Sequence, residues 1–322
     1  MIDIISRGSF SEQGRRDNNE DAIATTEDGR CFIVCDGMGG HGHGEIASRT
    51  VADSMAFFFQ NLPGPANTQN MQPALEYAIE MLDKEDNFDD ERKMGTTAVL
   101  AVLTESAVLV GHVGDSRLYH IRPEEGLLFR TKDHSQVQQW IDAEILTEEE
   151  AAVHPKKNLI TRCIQPHSSQ PIVMEIDERT DLKSGDWFFL CTDGVTDALT
   201  DGQIVEIIAN HGTAEEKVEQ IKSLCAERSK DNYSGFLLEI KANIVTPPDK
   251  KQCRVCGVEL NPETLYCPAC GSSVYDNSQT KKTRGVVPVC MNWLKERFPR
   301  PYDTFGNRLR QFVDNYFKED QL

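Results

Sequence analysis

Two short apolar stretches decide how this chain reads: Cys31-Phe32-Ile33-Val34-Cys35-Asp36-Gly37 and Trp187-Phe188-Phe189-Leu190-Cys191-Thr192-Asp193-Gly194. Each has the length and the β-branched or aromatic content of a buried strand, and each runs into Asp-Gly, a common turn dipeptide. Each therefore delivers a carboxylate to a strand end. The pattern recurs. Asp115 follows Val110-Gly111-His112-Val113-Gly114, Asp231-Asn232 precedes the apolar run Phe236 to Ile240, and Glu20-Asp21 adds an acidic pair near the start. One Asp-Gly alone is an ordinary turn. Carboxylates gathered from several strand ends repel one another at neutral pH unless a cation neutralises them, and hard oxygen donors favour Mg2+ or Mn2+ over Zn2+.

Around these stretches the chain reads as α+β. Strands are expected over Cys31 to Cys35, Thr97 to Leu103, Ala107 to Val110, Arg117 to Ile121, Trp187 to Leu190 and Phe236 to Ile240. Only Thr104-Glu105-Ser106 separates the second from the third, a hairpin length that makes the pair antiparallel. Helices are expected over Glu45 to Gln60, with Ile46, Val51, Met55 and Phe58 on one face, and over Pro73 to Lys84. Others should start near Thr147, Thr200 and Thr213, each followed three residues later by Glu or Gln as in a capping box. Such a mixture is not a doubly wound parallel sheet.

The 322 residues include 34 Lys+Arg and 52 Asp+Glu, a net charge of -18 that opposes binding of nucleic acid by the whole chain. The charge is uneven. Residues 250–322 hold 12 basic and 8 acidic residues, so the tail is mildly basic and the body strongly acidic. Thr246-Pro247-Pro248-Asp249, which can continue neither helix nor strand, separates them. No run approaches the roughly 20 apolar residues of a membrane-spanning helix. Met1 to Phe10 lacks a basic region followed by an apolar one, so a cytoplasmic location is expected, with cysteines as thiols or metal ligands. The glycines at 37, 39, 40, 42 and 44 would let backbone approach a metal or phosphate, but the Lys-Ser/Thr of a nucleotide-binding P-loop does not follow them.

Taken in order, Arg16-Asp17-Asn18-Asn19-Glu20-Asp21, Asp36-Gly37-Met38-Gly39-Gly40-His41, Gly95-Thr96-Thr97, Val113-Gly114-Asp115-Ser116-Arg117, Cys191-Thr192-Asp193-Gly194 and Asp231-Asn232 resemble the PPM/PP2C family of metal-dependent protein serine/threonine phosphatases, in particular its bacterial branch. The resemblance covers about residues 1–245. It implies two packed antiparallel sheets flanked by helices, with Mn2+ or Mg2+ in a channel at one end. It further implies that Asp36 bridges two ions, that Gly37 offers its backbone carbonyl to one of them, and that Asp193 and Asp231 complete the first ion's ligands. Glu20 and Asp21 would hold metal-bound water, Asp115 would share a third, weaker ion with Asp193, and Arg16 would grip the substrate phosphate. The implied reaction is hydrolysis of phosphoserine or phosphothreonine by a water bridging two ions about 3.5–4 Å apart. Phosphorylated proteins, with a serine/threonine kinase or its substrates, are the implied partners.

Cysteine-based phosphatase chemistry would need a Cys followed six positions later by Arg. None of Cys31, Cys35, Cys163, Cys191 and Cys225 has that spacing, and they read as core residues. The chain departs from the family at Met38, a histidine in several eukaryotic relatives, so protonation of the leaving group falls to His41, His43 or metal-bound water. It departs again at Gln165, within a flap over His134 to Gln170, where relatives commonly have glycine.

A second module is expected beyond a linker at 246–252. Cys253-x-x-Cys256 and Cys267-x-x-Cys270 have the spacing of a four-thiolate zinc site, similar to a short zinc ribbon over 253–275, with one structural Zn2+ supplying the folding free energy. A redox dithiol pair is its rival. Residues 276–322 read as a linker and an amphipathic helical tail whose Phe305, Leu309, Phe312, Val313, Tyr316 and Phe317 share one face. That face packs on the protein itself, docks a partner or meets a membrane surface. Two other functional classes stay open: a phosphoprotein-binding scaffold without catalysis, and a nucleic-acid or ribosome adaptor built on the ribbon, which its few basic residues disfavour.

Overall fold

The computed structural model describes residues 2–39, 43–86 and 94–242. The expected linker at 246–252, the zinc module at 253–275 with its four cysteines, the tail at 276–322 and His41 lie outside the described residues.

Alternation along the strands builds three layers of core. In β3 (Cys31–Met38), Phe32 and Val34 face one way while Cys31, Ile33 and Cys35 face the other. In β5 (Ala98–Leu103) the odd positions Val99, Ala101 and Leu103 join Phe32, and the even ones join Ile33. In β10 (Trp187–Cys191), Phe188 and Leu190 turn toward that same central layer, and Trp187, Phe189 and Cys191 turn outward. A strand apolar on both faces must be covered on both. The central layer lies between two sheets, where Phe32 meets Phe236 edge-on at 5.2 Å between ring centroids. Truncating a ring such as Phe188 to alanine would cost about 3–5 kcal/mol.

One sheet runs β1 (Ile2–Glu12), β11 (Tyr233–Ala242), β10, β7 (Arg117–Arg122), β8 (Gly126–Arg130). The other runs β2 (Asp21–Thr25), β3, β5, β6 (Val108–Val113), β9 (Glu175–Arg179), with the short β4 (Gly95–Thr96) on β3. All pairings are antiparallel. Helices α1 (Gly44–Gln60) and α2 (Met71–Glu85) supply Val51, Met55, Leu75 and Leu82 to the outer layer over the second sheet. Helices α5 (Asp193–Ala198), α6 (Asp201–Ala209) and α7 (Ala214–Arg228) supply Val195, Ile204, Ile208 and Ile221 to the layer over the first. Two short helices, α3 (Gln136–Asp142) and α4 (Glu148–Ala152), stand in the flap between β8 and β9. The expected boxes at Thr147, Thr200 and Thr213 cap α4, α6 and α7.

This is the expected pair of antiparallel sheets flanked by helices. Five strands, β1, β2, β4, β8 and β9, are not in the sequence reading; four of them lie at sheet edges, and β4 is only two residues long. Among the described residues no helix is long and apolar enough to cross a membrane.

Candidate active site

One end of the sandwich collects the acidic residues. Asp21 opens β2 and lies directly opposite Asp36 of β3 in the antiparallel register. Like charges placed opposite each other destabilise a ladder, so this pairing serves something other than the sheet. Asp36 lies inside β3, two residues before its end, rather than beyond it. Its backbone is fixed: its amide donates to Thr97 Oγ1 at 3.0 Å, and its carbonyl accepts from the Thr97 amide and from Thr96 Oγ1, both at 2.9 Å. Thr97 Oγ1 in turn lies 2.7 Å from Ser116 Oγ, beside Asp115 at the end of β6.

Asp193 is likewise not a turn residue. Thr192 is extended and precedes α5, which Asp193 begins. Thr192 Oγ1 donates to Asp21 Oδ2 at 2.9 Å and accepts the Ser234 amide at 3.0 Å, so one hydroxyl joins both sheets beneath the site. Asp231 is held by Asn232. The Asn232 side chain accepts the Glu20 amide at 2.9 Å and donates to the carbonyls of Gln13 and Asn18 at 2.7 and 2.8 Å, stitching the loop that carries Arg16 and Glu20 onto the start of β11. Arg16 Nη2 reaches Asp231 Oδ2 at 2.5 Å while its side chain stays 59% exposed. Gly37 packs so closely that a Cβ there would lie 2.2 Å from the Gly44 carbonyl oxygen and 2.4 Å from that of Glu20, so only glycine fits.

Electrostatics sets this cluster apart. Asp36 is pushed well above the usual carboxylate range, by loss of water and then by Asp193, Asp21 and Asp115. Asp21 rises to about 7, by burial in the main, the Thr192 bond offsetting part of it. Asp193 rises to about 6, by burial and then by Asp231 and Asp197. Asp115 also rises, by burial and then by Asp193 and Asp133. Glu20 rises through burial and through Glu45, in the first turn of α1. Asp21 Oδ1, Asp115 Oδ1 and Glu45 Oε2 are buried without a hydrogen-bond partner. Orphaned carboxylate oxygens need a proton or a cation. Hard, anionic and short of donors, this set fits Mn2+ or Mg2+.

The structure thus brings Glu20, Asp21, Asp36, Gly37, Asp115, Asp193, Asp231 and Arg16 to one end. No three of these carboxylates converge within 4.8 Å, a spacing met among the described residues by His112, His134 and Glu175. The acidic residues are gathered at one end without closing into a single-ion cage. A cleft of about 370 Å³ leads from Asp115 and Asp193 under the flap, past Lys157, Asp197 and Asp201. Sequence reasoning missed Glu45 and the positioning roles of Thr97, Thr192 and Asn232. The last three sit inside motifs quoted above, while Glu45 carries no signal of its own. Cys31, Cys35, Cys191 and Cys225 are buried, and Cys163 is partly buried on the flap.

Comparison with known proteins agrees with this geometry. The family model for protein phosphatase 2C matches residues 11–224. The serine/threonine protein phosphatase PstP of Mycobacterium tuberculosis is 30% identical over 239 residues, covering 74% of this chain and 45% of that protein, so the chain matches about half of that relative's length. Protein phosphatase PhpP of Streptococcus pneumoniae is 32% identical over 218 residues, 64% of this chain and 85% of that protein. Among solved structures, the catalytic domain of PstP in complex with two manganese ions aligns with a TM-score of 0.64 at 26% identity, covering 75% of this chain and all of that one. The chain belongs to the protein phosphatase 2C family.

Proposed function

We propose that the protein is a Mn2+- or Mg2+-dependent phosphatase acting on phosphoserine and phosphothreonine in proteins. The observation that carries this reading is the gathering of carboxylates at one sandwich end, with three buried oxygens lacking partners and Arg16 reaching over it. Asp36, Asp193, Asp231 and the Gly37 carbonyl would hold the principal ions, Glu20 and Asp21 would orient water beside them, and Asp115 with Asp193 would hold a third. When bound, such ions would supply an activated water and neutralise the charge that develops on attack at phosphorus. Arg16 bonds Asp231 through one nitrogen and keeps its remaining N–H groups for a phosphate oxygen, a task that suits a planar guanidinium. A phosphorylated protein from a serine/threonine kinase pathway in the cytoplasm is the corresponding substrate.

The module after residue 245 extends this reading: Cys253, Cys256, Cys267 and Cys270 hold one structural zinc, and the ribbon or the tail helix docks the target. Hydrolysis of p-nitrophenyl phosphate and of a phosphothreonine peptide should require Mn2+ and fall by about 1,000-fold or more in Asp36→Ala and Asp193→Ala. Undiminished turnover in either variant would remove the enzyme reading and leave a phosphoprotein-binding scaffold. Metal analysis should find one zinc per chain, lost in the Cys253→Ser/Cys267→Ser double variant while turnover of the small substrate persists. A zinc-free wild type would defeat that part alone.

A further inference from the structure

Outside the acidic site, one cluster combines buried imidazoles with a carboxylate: His112 of β6, His134 at the start of the flap and Glu175 of β9. The rings of His112 and His134 stack at 4.6 Å between centroids. The composition suggests a metal site, but the hydrogen bonds argue otherwise. His134 Nδ1 accepts the Gly114 amide at 3.0 Å, so the neutral ring carries its proton on Nε2, which faces Glu175 Oε2 at 3.2 Å. Burial holds this imidazole below its ordinary pKa, in keeping with the neutral form. The Arg162 guanidinium lies 3.4 Å from the same Nε2. An incoming cation would have to displace that proton and approach that charge.

What the cluster does is tie parts together. The His134 amide donates to the Gly114 carbonyl at 2.9 Å, so His134 grips both backbone groups of the residue immediately before Asp115. Gly114 has φ +107, and a Cβ there would lie 2.5 Å from Thr97 Cγ2, so the turn that aims Asp115 leaves no other choice of residue. On its other side, the His134 carbonyl accepts the Thr161 amide at 2.7 Å, and Ser135 bridges to Ile160. Thr161 belongs to the returning limb of the flap, which ends with Ile164 in a two-bond bridge to Thr96, beside Asp36. One histidine therefore fastens the Asp115 turn and both limbs of the flap to a single point.

Resting on the phosphatase reading above, we propose that His134 is a positioning residue that couples the flap to the ion held at Asp115, so that a substrate settling under the flap and an ion at Asp115 strengthen each other's binding. Linkage makes that effect reciprocal.

The test uses the full chain with three substitutions. His134→Ala removes both side-chain bonds. His134→Asn places an amide oxygen where Nδ1 accepts the Gly114 amide. Glu175→Ala removes the half-exposed partner of Nε2 and leaves the fold intact even where His134→Ala does not. Turnover of p-nitrophenyl phosphate and of a phosphothreonine peptide would be followed against Mn2+ concentration. Calorimetric Mn2+ titration, with and without an unreactive phosphonate peptide, would report binding without turnover. In the wild type the peptide should tighten the weakest Mn2+ site. In His134→Ala the Mn2+ needed for half-maximal rate should rise by about tenfold, the loss expected for a buried hydrogen bond, and the peptide should no longer tighten that site. His134→Asn should recover most of this, and Glu175→Ala should shift it by about two- to threefold. Wild-type Mn2+ dependence in His134→Ala, or in Glu175→Ala if the first does not fold, overturns the proposal. Equal defects in His134→Ala and His134→Asn that track lost thermal stability overturn it as well. A wild type with no Mn2+-dependent turnover would fail the phosphatase reading instead.

Discussion

Strand β10 has an aspartate just outside each end, and the two have opposite surroundings. Asp186 precedes Trp187 and is fully buried, yet its carboxylate receives Arg122 Nε at 2.7 Å, Arg122 Nη2 at 3.0 Å, His120 Nε2 at 2.9 Å and the Lys183 amide at 2.8 Å. Burial alone would raise its pKa, but these partners outweigh it and hold the carboxyl down at about 2. Asp193, two residues beyond Cys191, has other carboxylates for neighbours and is pushed up to about 6. The same strand thus ends in an acid whose counter-charges the chain supplies and in one whose counter-charges it withholds. Neutralisation from within makes structure, and the absence of it makes a place for ions from outside.

The sharpest way to break this contrast is substitution at Asp186 and within the acidic cluster around Asp193. Asp186→Ala should cost about 3–5 kcal/mol, because it removes the buried carboxylate that His120 and two Arg122 nitrogens bond. Asp36→Asn, which relieves repulsion, should leave metal-free stability unchanged or raise it. Urea melts of both variants in chelator check this, and a large loss in Asp36→Asn would void the comparison. The next effect is ion linkage. Mn2+ at about 100 times its dissociation constant should stabilise the wild type by about 2.7 kcal/mol, and this gain should shrink sharply in Asp36→Asn but persist in Asp186→Ala.

The smallest effect is in pH, where Asp186 and the acidic cluster around Asp193 should respond with opposite sign. Asp21 has a folded pKa near 7, above its unfolded value, so the folded chain holds the proton more tightly and metal-free stability falls as pH rises from about 4 to about 7. Asp186, held at about 2, contributes stability that is complete above its unfolded pKa and is lost only as pH falls toward 2. Between pH 5 and 7 the metal-free protein should lose about 2 kcal/mol through Asp21, or roughly 4–8 °C in Tm. Asp21→Asn or saturating Mn2+ should flatten that slope. A Tm that climbs over this range without metal would contradict the assignment.

Much of the site was legible because its chemistry demands carboxylates at strand ends, and apolar runs such as Cys31 to Cys35 announce those ends without any partner. The strands that escaped notice lack such runs. In β1, Ser6, Arg7 and Gly8 interrupt the alternation, and its inward residues gain meaning only against β11. In β9, Glu175 to Arg179 has one apolar residue and is a strand only because β6 offers it an edge. Glu45 was invisible for a related reason: an acid in the first turn of a helix is ordinary until folding sets it against Glu20. Local pattern reveals what a residue needs for itself, and long-range pairing decides the remainder.

That long-range pairing has a consequence for synthesis. β1 pairs with β11, the last strand described, and Asn232 closes the loop that bears Arg16 and Glu20. A nascent chain halted before residue 231 would have its first strand unpartnered and Arg16 unanchored, so the acidic site cannot assemble on the ribosome until the strand that completes it has emerged.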